Sequence, residues 1–299
     1  MGNALNVVPL PMEYIKDKIL IYGRMIKFSH TIFALPFALS AVVMAWENHS
    51  PSVWDFIWIL LAMIGARSAA MGFNRIVDAD IDLKNERTAI REIPSGLLSK
   101  KESLLFVVLS SLVFIFCAAM LSRLCLILSF PVLFFLLFYS YTKRFTQYCH
   151  LYLGFAICLA PVGAWVAITG ILSWSIIFLS LSLMTYIAGF DILYACQDIG
   201  FDQKEGLFSL PSKIGPKKAM DISCVLHCFT FIFLLAMYVT FGMHPVFLAF
   251  LGIIGLLLIA EHKLVKPDNL THINVAFFHM NSVISVLLFI GILTQGFFK

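Results

Sequence analysis

An all-α bundle of nine membrane-spanning helices, a polytopic membrane protein built from two four-helix-type repeats, is the fold this sequence predicts. Three observations point to it: apolar runs long enough to cross a bilayer, basic residues gathered on one side of those runs, and an acidic motif that recurs 120 positions further along the chain.

The first observation begins with composition. Hydrophobic residues make up 61 % of the 299 positions and charged residues 13 %, against roughly 45–50 % and about 25 % in soluble domains. With 29 Phe, too little polar surface remains to cover a water-soluble globule. A helix needs about 20 apolar residues to cross the hydrocarbon layer. Runs of that kind fall at 27–46, 54–73, 103–120, 124–142, 150–172, 174–195, 219–241, 244–261 and 275–296. The alternating segments of a membrane barrel are absent, so the backbone must satisfy itself within helices. The seven cysteines form no CxxC pair and read as small packing residues. The opening residues lack a signal-peptide layout, and Asn6 breaks the myristoylation pattern.

Charge gives the direction. The segment before the first run and the connections after the second, fourth, sixth and eighth hold 18 of the 21 Lys and Arg residues. Positive-inside logic puts them in the cytoplasm, in an inner (cytoplasmic) membrane, with the N-terminus inside and the C-terminus on the opposite side. Residues 1–299 then read as one membrane domain. Within it, 1–26 is a cytoplasmic N-terminal segment, and 74–102 and 196–218 are cytoplasmic connections dense in charge. Nothing suggests nucleic-acid binding or an obligate protein partner.

Those two connections carry the chemistry. The first opens with Asn74-x3-Asp78-x3-Asp82, the second with Asp191-x2-Tyr194-x3-Asp198-x3-Asp202. Shifted by 120 positions, Asp78 falls on Asp198, Asp82 on Asp202 and Lys84 on Lys204, as an internal duplication would produce. Residues four apart on a helix share a face, as do Asp191 and Asp198, seven apart. Four carboxylates at one apolar mouth would repel one another unless cations lay between them. All-oxygen ligands suit Mg²⁺, whose shell is completed by water and phosphate. Arg87 and Arg91 follow the first copy and Lys204 the second, while Tyr139, Lys143, Arg144 and Thr146 form a third polar site after the fourth run. Basic groups beside bridging metals suit a diphosphate.

Arg67 lies inside the second run, seven residues before Asn74. That is about 10 Å deeper, near the same helix face. A charge at membrane depth marks a functional site, and the expectation is that Arg67 pairs with the carboxylate of an aromatic acid. The Phe-rich run FPVLFFLLFY offers rings to line a tunnel and steady a cation. His30 reads as a buried histidine bonded to a neighbouring helix.

The pattern Asn74-x3-Asp78-x3-Asp82, Arg87-Thr88-x2-Arg91-x2-Pro94-Ser95-Gly96, Tyr139-x3-Lys143-Arg144-x-Thr146 and Asp191-x2-Tyr194-x3-Asp198-x3-Asp202 resembles the UbiA superfamily of intramembrane aromatic prenyltransferases. The likeness runs over essentially the whole chain. It implies Mg²⁺-dependent transfer of a polyprenyl group from polyprenyl diphosphate to an aromatic acid, within membrane lipid, in ubiquinone or menaquinone biosynthesis. By position, Asn74, Asp78, Asp82, Asp198 and Asp202 would hold Mg²⁺. Arg87, Arg91, Lys143, Arg144 and Lys204 would bind the diphosphate. Arg67 and Tyr139 would bind the acceptor, and Asp191 with Tyr194 would act on its phenolic group or ring proton. Arg75 stands where many ubiquinone-pathway members carry Asp. The runs IKFSHTIFALPFAL and MGFNRIVDADID resemble a bacterial subgroup grouped with 4-hydroxybenzoate prenyltransferases, part of which acts on a naphthoate. The acceptor is thus a 4-hydroxybenzoate-type acid or a naphthoate precursor of menaquinone. A cation-coupled transporter would also gather carboxylates, but its site would lie near the bilayer midplane.

Overall fold

The computed structural model describes residues 12–46 and 49–298; residues 1–11 of the N-terminal segment and Lys299 lie outside them. Apart from one isolated bridge between Lys266 and Asn269, the regular structure among the described residues is helical. In chain order the helices are α1 (Met12–Met25), α2 (Leu35–Trp46), α3 (Val53–Asp82), α4 (Lys100–Leu121), α5 (Arg123–Thr142), α6 (Cys149–Thr169), α7 (Trp174–Ala195), α8 (Ile199–Lys204), α9 (Leu210–Ile214), α10 (Pro216–Thr240), α11 (Val246–Leu264) and α12 (Asn281–Leu293).

Eight segments among the described residues are long and apolar enough to cross a membrane: α3, α4, α5, α6, α7 continued through α8, α10, α11 and Phe278–Phe297. The expected count was nine, and the difference lies in the first run. Its α-helix covers only Leu35–Trp46, preceded by a 3-10 turn at Phe28–Phe33. Pro36 explains the break, because its ring would clash with the carbonyl four residues earlier in a continuous helix. Twelve residues rise about 18 Å, short of the roughly 30 Å hydrocarbon core. Eight of the twelve, including Phe37 and Met44, are buried.

The second run is longer than its apolar stretch. Helix α3 has 30 residues, a length of about 45 Å. Its final turns therefore carry the acidic motif beyond the hydrocarbon. Reciprocal capping boxes at Ser52–Asp55 and Ser99–Glu102 begin α3 and α4, satisfying amide donors that the first turn leaves open. The two helices touch at Gly65, where a Cβ would sit 2.9 Å from both the Phe114 amide nitrogen and the Ser110 carbonyl oxygen. Glycine at that point permits the close backbone approach on which membrane helix pairs depend.

Helix α7 is the centre of the bundle. Seventy-two per cent of its most apolar stretch is buried, against 39 % or less in the other spans. Leu179, Leu183, Tyr186 and Ile187 belong to a core shared with α2, α6, α10, α11 and α12. Polar groups tie the far side together: the Tyr186 hydroxyl donates to the Asn281 carbonyl at 2.8 Å, and Asn281 Nδ2 donates to Glu261 at 3.2 Å. Such bonds matter within lipid, where water is absent to satisfy them.

Candidate active site

The last turns of α3 align Asn74, Asp78 and Asp82, as their spacing requires. Asn74 Nδ2 donates to Asp78 at 3.0 Å. Asp78 also meets Lys143 Nζ at 3.0 Å and Arg144 Nη2 at 3.3 Å. Arg144 reaches further, donating to the carbonyls of Val77 at 2.8 Å and Ser140 at 3.0 Å, which locks the end of α5 to α3. One step along, both Asp82 oxygens accept from Arg91 Nη1 at 2.7 Å. Thr88 Oγ1 donates to the Asp82 carbonyl at 3.1 Å, turning the chain back so that Arg91 can reach. Asp78 and Asp82 are only 2 % and 4 % exposed, and carboxylates buried to that degree need such partners.

The second motif departs from a continuous helix. Helix α7 stops at Ala195, a 3-10 turn covers Cys196–Asp198, and α8 starts at Ile199. The 3-10 turn rotates Asp198 by about 60° relative to a continuous α-helix. Asp198 faces the connection that follows the first motif. Arg87 Nε donates to it at 3.1 Å, and a second bond comes from Arg87 Nη2. Asn85 Nδ2 adds a bond at 3.4 Å, while Arg87 Nη1 donates to the Tyr194 hydroxyl at 3.2 Å. Lys84 pairs with Glu205 at 2.6 Å. Asp202 accepts from Ser209 Oγ at 2.6 Å, and His150 Nδ1 lies 2.7 Å from Asp191. The two acidic motifs thus confront one another across a layer of basic and amide groups. Lys204 does not join it: the residue is exposed and forms no ion pair or hydrogen bond among the described residues. No group of three His, Cys, Asp or Glu among them is arranged to hold a metal by itself.

Further positive charge lies nearby. Burial opposes the charge on Arg87, yet the paired Asp198 carboxylate raises its pKa above the ordinary guanidinium value. Lys27 was legible in the sequence only as a topological charge. It occupies a left-handed turn, φ 46°, between α1 and the following 3-10 turn. Burial, and then repulsion from Arg75, Arg91 and Arg87, pulls its pKa down to about 8.

A cavity of about 230 Å³ runs inward from Asn74 and Tyr139 past Arg67, enclosed by residues of α2 through α6. Arg67 Nη2 donates to the Lys27 carbonyl at 3.1 Å, while its buried Nε has no hydrogen-bond partner. Eight residues along α3, Arg75 is 3 % exposed and donates from Nε to the Met25 carbonyl at 3.2 Å. The two arginines brace the break after α1. The aromatic lining is confined to Phe114 of α4 and Tyr139, the last residue of the Phe-rich run. From α5, Leu128, Ser129, Val132, Leu136 and Tyr139 face the cavity, whereas Phe130, Phe134 and Phe138 are exposed on the outer surface. Helical periodicity separates the two sets. The His30 ring packs against Phe33 and Phe278.

Similarity to known proteins agrees with this geometry. The 4-hydroxybenzoate octaprenyltransferase of Methylobacillus flagellatus is 30 % identical over 236 residues, covering 78 % of each chain. The apo structure of a UbiA homologue from Aeropyrum pernix K1 superposes with a TM-score of 0.81 at 29 % identity, covering 89 % of this chain and 98 % of that one. A UbiA homologue from Archaeoglobus fulgidus bound to GPP and Mg²⁺ shares the fold, with a TM-score of 0.67 at 19 % identity over 91 % of this chain and 99 % of that one. Residues 34–283 match the UbiA prenyltransferase family along their length, and the chain belongs to that family.

Proposed function

We propose that this membrane enzyme transfers a polyprenyl group from its diphosphate to a ring carbon of 4-hydroxybenzoate, or a closely similar aromatic acid, in quinone biosynthesis. One observation carries the reading: an apolar cavity, lined by an arginine whose buried Nε has no hydrogen-bond partner, ends where two acidic motifs and five bases meet. The name of the Methylobacillus relative supports the acceptor. The basic connections support a cytoplasmic mouth in the inner membrane.

The donor set fits Mg²⁺. Asn74, Asp78, Asp82, Asp198 and Asp202 offer oxygen ligands in pairs, and Mg²⁺ is usually held by one or two carboxylates plus substrate phosphate. The Archaeoglobus homologue binds GPP with Mg²⁺. When bound, the metal would neutralise charge on the leaving diphosphate.

The chain's own groups do the rest. Arg87, Arg91, Lys143, Arg144 and Lys27 surround the mouth and stabilise the departing diphosphate as the C–O bond breaks. The aliphatic walls from α3 to α6 hold the isoprenoid and exclude water that would quench the allylic cation. Arg67 Nε takes the acceptor carboxylate, which points the ring toward the mouth. The ring carbon forms the new C–C bond and then loses its proton to Asp191, with Tyr194 beside Arg87.

The test incubates membranes containing the protein with labelled geranyl diphosphate, Mg²⁺ and either 4-hydroxybenzoate or a dihydroxynaphthoate. Labelled prenyl-4-hydroxybenzoate is expected. Product only from the naphthoate would overturn the acceptor assignment, and product from neither would overturn prenyl transfer.

A further inference from the structure

The sequence motifs leave out His150, yet it makes the closest described contact to Asp191. His150 lies in the first turn of α6 and is 4 % exposed. Its Nδ1 is 2.7 Å from Asp191 Oδ2, and its Nε2 is 3.3 Å from the Leu210 amide nitrogen. A backbone amide can only donate, so Nε2 must be the unprotonated, accepting nitrogen. The single ring proton then sits on Nδ1 and points at Asp191.

The segment that supplies the Leu210 amide is itself anchored to the site at each successive residue. The Phe208 amide donates to the Lys143 carbonyl at 2.7 Å, and Cys149 Sγ donates to the Phe208 carbonyl at 3.5 Å. Ser209 Oγ donates to Asp202 at 2.6 Å. Residues 208–210 therefore join the end of α5, the start of α6 and the second acidic motif.

We propose that His150 is a positioning residue for the reaction: a neutral imidazole, its tautomer set by the Leu210 amide, that holds Asp191 through Oδ2 and leaves Oδ1 for the acceptor. The Asp191 side chain keeps 22 % exposure, enough for that oxygen to meet a ligand. His150 exchanges no proton in this role. It restricts the carboxylate to one orientation, and misplacing a reacting group by about 1 Å can cost on the order of 10²-fold in rate. The proposal rests on the reading of Asp191 given above.

Three variants at this position separate the two hydrogen bonds. Asparagine places an N–H donor where Nδ1 stands, glutamine reaches the Nε2 position, and phenylalanine supplies neither. With geranyl diphosphate and 4-hydroxybenzoate, His150→Phe is expected to lower kcat by about 10²-fold while leaving the geranyl diphosphate KM unchanged. His150→Asn should recover most of the loss and His150→Gln little of it. Equal activity in the asparagine and glutamine variants would overturn the proposal, whether both are active or both inactive. In an Asp191→Asn background, His150→Phe should cost nothing further, because a residue acting through a partner loses its effect with that partner. A full additional loss in that background would overturn the role of His150 alone. Wild-type turnover in Asp191→Asn would overturn the reading of Asp191, and this proposal with it.

Discussion

Arg87 and Asp198 lie 111 residues apart in the chain and are joined by two hydrogen bonds, one of them 3.1 Å from Nε. Arg87 belongs to the connection after α3, whereas Asp198 closes the turn after α7. Their contact is the point where the two acidic motifs become one site, and Arg87 also reaches Tyr194. Removing a donor aimed at developing charge costs about 10²-fold or more in kcat. Arg87→Ala is expected to fall in that range, with Arg87→Lys intermediate because a single ammonium cannot reproduce the planar fork. Single-turnover kinetics check this, and an Arg87→Ala enzyme of normal kcat would separate the two motifs functionally.

Asp78 and Asp198 each meet bases from elsewhere in the chain. Asp78→Ala and Asp198→Ala should each abolish prenyl transfer while membrane insertion continues. Insertion is read by fractionation and transfer by labelled product. Substantial turnover in either variant would argue against metal binding there.

Chelation provides an independent measurement. Treatment with EDTA should stop turnover, and excess Mg²⁺ should restore it, because carboxylates in pairs leave the ion dependent on water and phosphate for its other ligands. Turnover indifferent to EDTA would remove Mg²⁺ from the scheme.

The buried Nε of Arg67 has no hydrogen-bond partner and the residue lines the cavity. A buried guanidinium N–H left without a partner is costly until an anion arrives. Arg67→Ala is expected to raise the 4-hydroxybenzoate KM by at least about tenfold, the loss of one charged hydrogen bond, with little change in the diphosphate KM. The opposite pattern would transfer Arg67 to the diphosphate.

Lys27 supplies the pH dependence. Burial, then repulsion from Arg75, Arg91 and Arg87, sets its pKa at about 8. An amine with a lowered pKa is charged below that value and neutral above it. The diphosphate site therefore loses one cation as pH rises through about 8. The expected fall in kcat/KM for geranyl diphosphate is about tenfold, corresponding to roughly 1.4 kcal/mol. Lys27→Gln should flatten that part of the profile; an unaltered profile would remove Lys27 from the anion site.

Hydropathy alone located nearly every span, and spacing alone identified Asn74, Asp78 and Asp82 as one face of a helix. These are local properties: the length of an apolar run and the turn of a helix are written into neighbouring residues. Arg67 was conspicuous for the same reason, being a charge within such a run. Pro36 was also visible in the sequence, but its power to divide the first span depended on how the surrounding chain packed. Only the tertiary structure paired Arg87 with Asp198 and His150 with Asp191, turned Phe130, Phe134 and Phe138 of α5 outward, and broke the second motif before Asp198. Periodicity tells which residues share a face. Which face meets which neighbour is decided by packing between helices distant in the chain, and no short stretch of sequence records it.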